Sequence, residues 1–85
     1  MAFRLQVNQA NMSDAMQREA LECSLLALST NLDIATYVKQ VFEERHGGYW
    51  NCIAGLSFRF HLGQVDACYV HFTLHNTSIL LFKTG

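Results

Sequence analysis

The sequence predicts an α+β fold in the order strand, helix, helix and four strands, with an antiparallel sheet carrying both helices on one face. Three observations lead there. A short alternating stretch opens the chain, apolar residues then recur at helical spacing as far as residue 46, and everything after Gly48 alternates with period two. At 85 residues there is room for one hydrophobic core, so residues 1–85 are expected to form a single domain.

The first element is "FRLQV", which puts Phe3, Leu5 and Val7 on one face of a strand and Arg4 and Gln6 on the other. "NQANMS" breaks that alternation, and Asn11 or Ser13 can cap a helix whose first turn carries Asp14 at the positive end of its dipole. Met12, Met16, Ala20, Cys23 and Ala27 then step round at helical spacing. Thr30 and Asn31 offer the cap of a second helix, in which Ile34, Val38, Val41 and Phe42 face inward and Lys39, Gln40, Glu43 and Glu44 outward. "HGG" at 46–48 ends it, because glycine takes the left-handed conformation just past a last turn at no steric cost.

The strand region divides into four alternating runs. Trp50, Cys52 and Ala54 alternate with Asn51 and Ile53, and Phe58, Phe60 and Leu62 with Ser57, Arg59 and His61. Cys68, Val70, Phe72 and Leu74 alternate with Tyr69, His71 and Thr73, while "SILLFK" is apolar on both faces.

Composition narrows the function. A net charge of −1 gives no electrostatic footprint for nucleic acid or a membrane surface. The longest apolar runs, "LLAL" and "ILLF", fall far short of the roughly 20 residues a membrane span needs. Three widely spaced cysteines, Cys23, Cys52 and Cys68, make no disulfide framework, and with no secretory signal ahead of them reduced thiols in the cytosol are expected. Hydrophobic content of 51% against 15% charged residues is high for so short a chain. Two helices cover one face of the sheet, and the other, bearing Ile53 and Tyr69, is too apolar to leave in water. A second copy of the chain is the simplest cover, so a homodimer is expected.

No catalytic or metal constellation emerges. Cys52 follows a tryptophan in "YWNCIAG", as in a thioredoxin-type site, but that chemistry needs a second cysteine three residues on, where Gly55 stands. No lysine or arginine lies within four residues to lower its pKa, so Cys52 reads as a small hydrophobe in a wall. Cys68, His71 and His75 are close in sequence, yet on a strand four residues span roughly 13 Å and Cys68 and His71 point to opposite faces. The glycine pair of "HGGYW" has no lysine after it and no helix start, so it is not a phosphate loop. Met12 and Met16 read as core. The chain is expected to be no enzyme and to hold no cofactor, metal or small-molecule substrate. What stands out is "SFRFHLGQ", a glycine-bounded aromatic strand suited to pairing with another chain.

The segments "NMSDAMQREALEC" (11–23), "DIATYVKQVF" (33–42), "WNCIAG" (50–55) and "SILLFKTG" (78–85) keep one register over nearly the whole chain, and in it the sequence resembles the small cytoplasmic dynein light chain family. The resemblance implies a strand-swapped homodimer with two parallel grooves, each binding a short disordered client segment as an added strand. It implies clients such as the dynein intermediate chain, no catalysis, and a place in the cytoplasm on microtubule-associated dynein. The peptide groove would comprise Ser57, Phe58, Arg59, Phe60, His61, Leu62 and Gly63 at its edge, with Tyr69, His71, Thr73, Ser78, Leu80 and Phe82 as its wall. The dimer interface would comprise Asn51, Ile53, Phe58, Phe60, His61 and Leu62, and the helix start near Asp33 and Ile34 would close the groove's end. Departures mark a divergent member: a shorter turn around Asn31, Arg59 in place of a glycine, Gln64 in place of a histidine, and Asn51 where the family has an interfacial histidine. A dedicated structural subunit of a ciliary or cortical assembly, its groove filled by one permanent partner, is the alternative.

Overall fold

The computed structural model describes residues 5–56 and 68–84. Its elements run β1 (Leu5–Asn11), α1 (Asp14–Ser29), α2 (Ile34–His46), β2 (Trp50–Gly55), β3 (Tyr69–Leu74) and β4 (Thr77–Lys83). The strands form one antiparallel sheet in the order β1-β3-β4-β2. The strand expected around Phe58–Leu62 lies outside the described residues.

Local chemistry explains the boundaries. β1 continues through Asn11, beyond the expected break, because a bulge between Val7 and Gln9 absorbs the interrupted alternation and restores pairing with β3. The bulged Asn8 is held by its Nδ2, which donates to Thr73 Oγ1 at 3.0 Å. Ser13, one of the two expected caps, starts α1 by accepting the Met16 N–H on its Oγ at 3.2 Å. Thr30 and Asn31 do not open α2, as the sequence suggested; they close α1. Asn31 adopts φ 61°, and the Leu32 N–H reaches back to the Ala27 carbonyl at 2.8 Å, which is the left-handed closure that asparagine tolerates best after glycine. Asp33 is the residue that starts α2, with its Oδ2 accepting the Thr36 hydroxyl at 2.8 Å. Gly47 ends that helix at φ 69°, donating its N–H to the Glu43 carbonyl at 3.1 Å.

Small residues let the two helices approach closely. Ala20, Cys23, Ser24 and Ala27 form the buried side of α1, and the Ser24 hydroxyl is satisfied by the Ala20 carbonyl at 2.8 Å. From α2, Ile34, Val38 and Phe42 complete the layer over Trp50, Val70, Phe72, Leu74, Ile79 and Leu81 of the sheet. Trp50 is the corner post. Its ring meets Phe42 edge-on at 5.0 Å, its indole N–H donates to the Gly47 carbonyl at 3.0 Å, and its main-chain N–H donates to Glu43 Oε2 at 3.2 Å. The glycine turn therefore serves packing as well as termination.

Candidate functional site: the sheet face away from the helices and the β2 edge

Alternation along each strand gives the sheet two faces, and only one of them meets the helices. On the other face the registers align three rows: Tyr69 beside Phe82 beside Asn51, His71 beside Leu80 beside Ile53, and Thr73 beside Ser78 beside Gly55. Asn11 and Gln9 of β1 extend the first two rows. The middle row runs from polar at β1, with Gln9 and His71, to apolar at β2, with Leu80 and Ile53. Leu80 is 1% exposed although it faces away from the helical core, whereas Ile53, next to it on the outer strand, is 46% exposed. The apolar area that this face leaves open is therefore Ile53, at its β2 end.

Among the described residues the edge beside Ile53 is also open on its main chain. The Thr84 N–H donates to the Tyr49 carbonyl at 2.8 Å, so these residues face each other across the β2–β4 ladder. In an antiparallel pair the hydrogen-bonded residues recur every second position. Asn51, Ile53 and Gly55 therefore bond to Phe82, Leu80 and Ser78, while Trp50, Cys52 and Ala54 direct their N–H and C=O groups outward. The Trp50 N–H confirms the phase, since it bonds to Glu43 rather than to β4. Among the described residues β2 pairs on one side only.

Burial, followed by the nearby Asp33 charge, pushes the Cys52 thiol up to about 12, so the nucleophilic thiolate is suppressed near neutral pH. Burial also pushes the His71 imidazole below its usual range, favouring its neutral form on the sheet face. Glu43 is held below the carboxylate range by Lys39, with Nζ–Oε1 at 2.9 Å, and then by the Trp50 N–H, so an ionised carboxylate fixes the first residue of β2. Asn51 donates from Nδ2 to Thr84 Oγ1 at 3.2 Å. Among the described residues no three side chains gather in a way that could hold a metal ion, and no helix is long and apolar enough to cross a membrane.

The structure brings together eight of the residues singled out from sequence on this face: Tyr69, His71, Thr73, Ser78, Leu80, Phe82, Asn51 and Ile53. Ser57, Phe58, Arg59, Phe60, His61, Leu62 and Gly63 lie outside the described residues. At the start of α2, Ile34 turns into the core at 9% exposure, as its helical spacing predicts, and a surface depression of about 280 Å³ there is lined by Leu32, Asp33, Thr36, Tyr37 and Gln40. Thr36 and Tyr37 went unnoticed in the sequence, and Gln40 was read only as an outward-facing position. Their only signal is that they occupy the flank beside the apolar positions of α2, which any amphipathic helix shows.

Comparison with known proteins agrees with this geometry. The sequence profile described as "Dynein light chain type 1" matches residues 4–84. Among solved structures, the dynein light chain-like domain of the Fasciola hepatica calcium binding protein FhCaBP2 superposes with a TM-score of 0.82 at 21% identity, over 96% of this chain and 92% of that one. The dynein light chain-like domain of CsTAL3 superposes with a TM-score of 0.80 at 20% identity, over 94% of this chain and 92% of that one. The two likenesses bear on the fold; with a family profile spanning all but the ends of the sequence, the chain belongs to the dynein light chain type 1 family.

Proposed function

We propose that the chain is a non-catalytic homodimeric adaptor that binds short extended segments of other proteins by strand addition. The dynein intermediate chain is the first expected client, in the cytoplasm on microtubule-associated dynein. The observation that carries this reading is the β2 edge: Cys52 and Ala54 direct main-chain groups outward beside a sheet face that turns away from the helices and ends in exposed Ile53. Strand exchange explains both features at once. In this reading residues 57–63 of one subunit pair with β2 of the other, the sheet faces carrying Tyr69, His71, Leu80 and Ile53 come together, and a client strand completes each groove. Family membership supports partner binding in general terms; the edge and the face are what favour this mode of it.

Client choice follows from Arg59, which stands where the family has glycine. A guanidinium at the groove edge replaces the close approach that a glycine permits and favours an acidic client residue over the glutamine of a Thr-Gln-Thr motif. Calorimetric titration of Thr-Gln-Thr and Thr-Glu-Thr peptides against the wild-type chain and Arg59→Gly tests it. The wild type should prefer the glutamate peptide about tenfold and the glycine variant the glutamine peptide. Equal preference in both proteins removes Arg59 as the selector, and absence of binding to either peptide contradicts the adaptor reading.

A further inference from the structure

We propose that the opposite edge of the sheet, along β1 beneath α1, is a second docking site, for an extended segment of another protein with an acidic residue two positions from an apolar one. The Lys83 N–H donates to the Cys68 carbonyl at 2.9 Å, which sets the phase of the β3–β4 ladder. Val70, Phe72 and Leu74 therefore bond to β4, and Tyr69, His71 and Thr73 direct their main-chain groups to β1. Their partners there are Asn11, Gln9 and Gln6. Leu5 and Val7 consequently direct their N–H and C=O groups away from the sheet, and among the described residues β1 pairs with β3 alone.

Above that edge lies an apolar depression of about 150 Å³ lined by Val7, Gln17, Arg18, Leu21, Val70 and Phe72. Val7 is 48% exposed, while Val70 and Phe72 at its floor are 1% and 2% exposed. The coincidence of the two features identifies the occupant. A strand added beside Val7 pairs with it through the main chain and sets its own side chain next to Val7 on the helix side, over the depression. Leu21 and Leu28 recur on α1 with Leu25 between them, continuing the apolar wall along the helix.

Charge then chooses among extended segments. Gln17 is tied down, its Nε2 donating to the Met12 carbonyl at 2.7 Å. Arg18 is exposed, forms no ion pair among the described residues, and is the charged side chain that lines the depression. An acidic residue two positions from the apolar anchor lies on the same strand face and meets the guanidinium. A second copy of the chain, pairing β1 with β1 about Val7, would add a second Arg18 in place of the carboxylate. The bulge at Asn8 limits the available ladder, which keeps this site weaker than an uninterrupted edge.

The probe is the end-capped peptide Thr-Thr-Glu-Thr-Leu-Thr-Glu-Thr-Thr, whose paired glutamates serve either strand direction. Binding by fluorescence anisotropy and amide exchange by NMR are measured on the full chain and on Arg18→Glu. The glutamate peptide should bind at least tenfold tighter than the version with lysine in both positions, and Arg18→Glu should reverse the order. Exchange protection should rise at Leu5 and Val7, and N-methylation of the central leucine and of the threonine before it should weaken binding at least tenfold. Equal affinity for the two peptides, protection at Cys52 and Ala54 instead, or binding indifferent to N-methylation would each overturn the proposal. So would protection of Leu5 and Val7 that depends on protein concentration without peptide, which would make a second copy the occupant.

Discussion

Replacing Ile53 with alanine separates what the chain does for itself from what it withholds for a partner. The substitution removes three carbon groups, worth about 2.4 kcal/mol when fully buried at about 0.8 kcal/mol each. Ile53 is 46% exposed within one chain, so about 1.3 kcal/mol of that burial acts inside the subunit and about 1.1 kcal/mol is left for a covering surface. An isologous dimer contains the site twice. Its dissociation constant should therefore rise by about 2.2 kcal/mol, or roughly 40-fold, whereas unfolding of the separated subunit should lose only the intrachain share of about 1.3 kcal/mol. Sedimentation equilibrium over a dilution series gives the first quantity, and urea unfolding below and above the dimer midpoint gives the second. A loss of stability that is the same at every protein concentration would refute the reasoning, because it would mean that no partner covers the exposed half of Ile53.

Cys52 should label slowly with iodoacetamide: a thiol pushed up to about 12 is about three orders of magnitude less ionised at pH 8 than an ordinary cysteine, and labelling at the rate of a free thiol would contradict its burial. His71 has a lowered folded pKa, so the stability it supports is present above about pH 6.5 and is lost as pH falls from there through the folded value; His71→Gln should remove that slope in urea midpoints measured between about pH 7 and 5. Glu19 is held below the carboxylate range mainly by Arg45, with Nη1–Oε1 at 2.8 Å, and next by the His46 contact at 2.9 Å. Its contribution is present above about pH 4.3 and lost as pH falls through the lowered value, so Glu19→Gln should cost about 0.5–1 kcal/mol at pH 6 and much less at pH 3.

Period-two and helical spacing carried most of this fold in the sequence. Tyr69–Leu74 alternates between a half-covered and a buried side, and Ile79, Leu80 and Leu81 are buried in succession because β4 lies inside the sheet with apolar neighbours on both faces. Where the reading slipped, a local hydrogen bond outweighed the pattern. Asn31 looked like a helix start because asparagine caps helices, but its tolerance of positive φ suits it equally to a helix end, and only the Leu32 N–H reaching Ala27 distinguishes the two. The bulge at Asn8 was equally hidden, since an interrupted alternation looks the same whether a strand ends or shifts register. The face bearing Tyr69, His71 and Ile53 was legible because alternation assigns it. The depression beside Thr36 and Tyr37 was not, because no chemical pattern marks the flank of an amphipathic helix.

The claim at the centre of this account is that another chain adds to the outer edge of β2. Hydrogen exchange at the Cys52 and Ala54 amides, followed across a dilution series, tests it most directly. Both amides should be protected when the protein is concentrated and should lose protection on dilution, with the midpoint that sedimentation gives for dissociation. Fast exchange at both amides at every concentration, or protection that dilution leaves untouched, would contradict it.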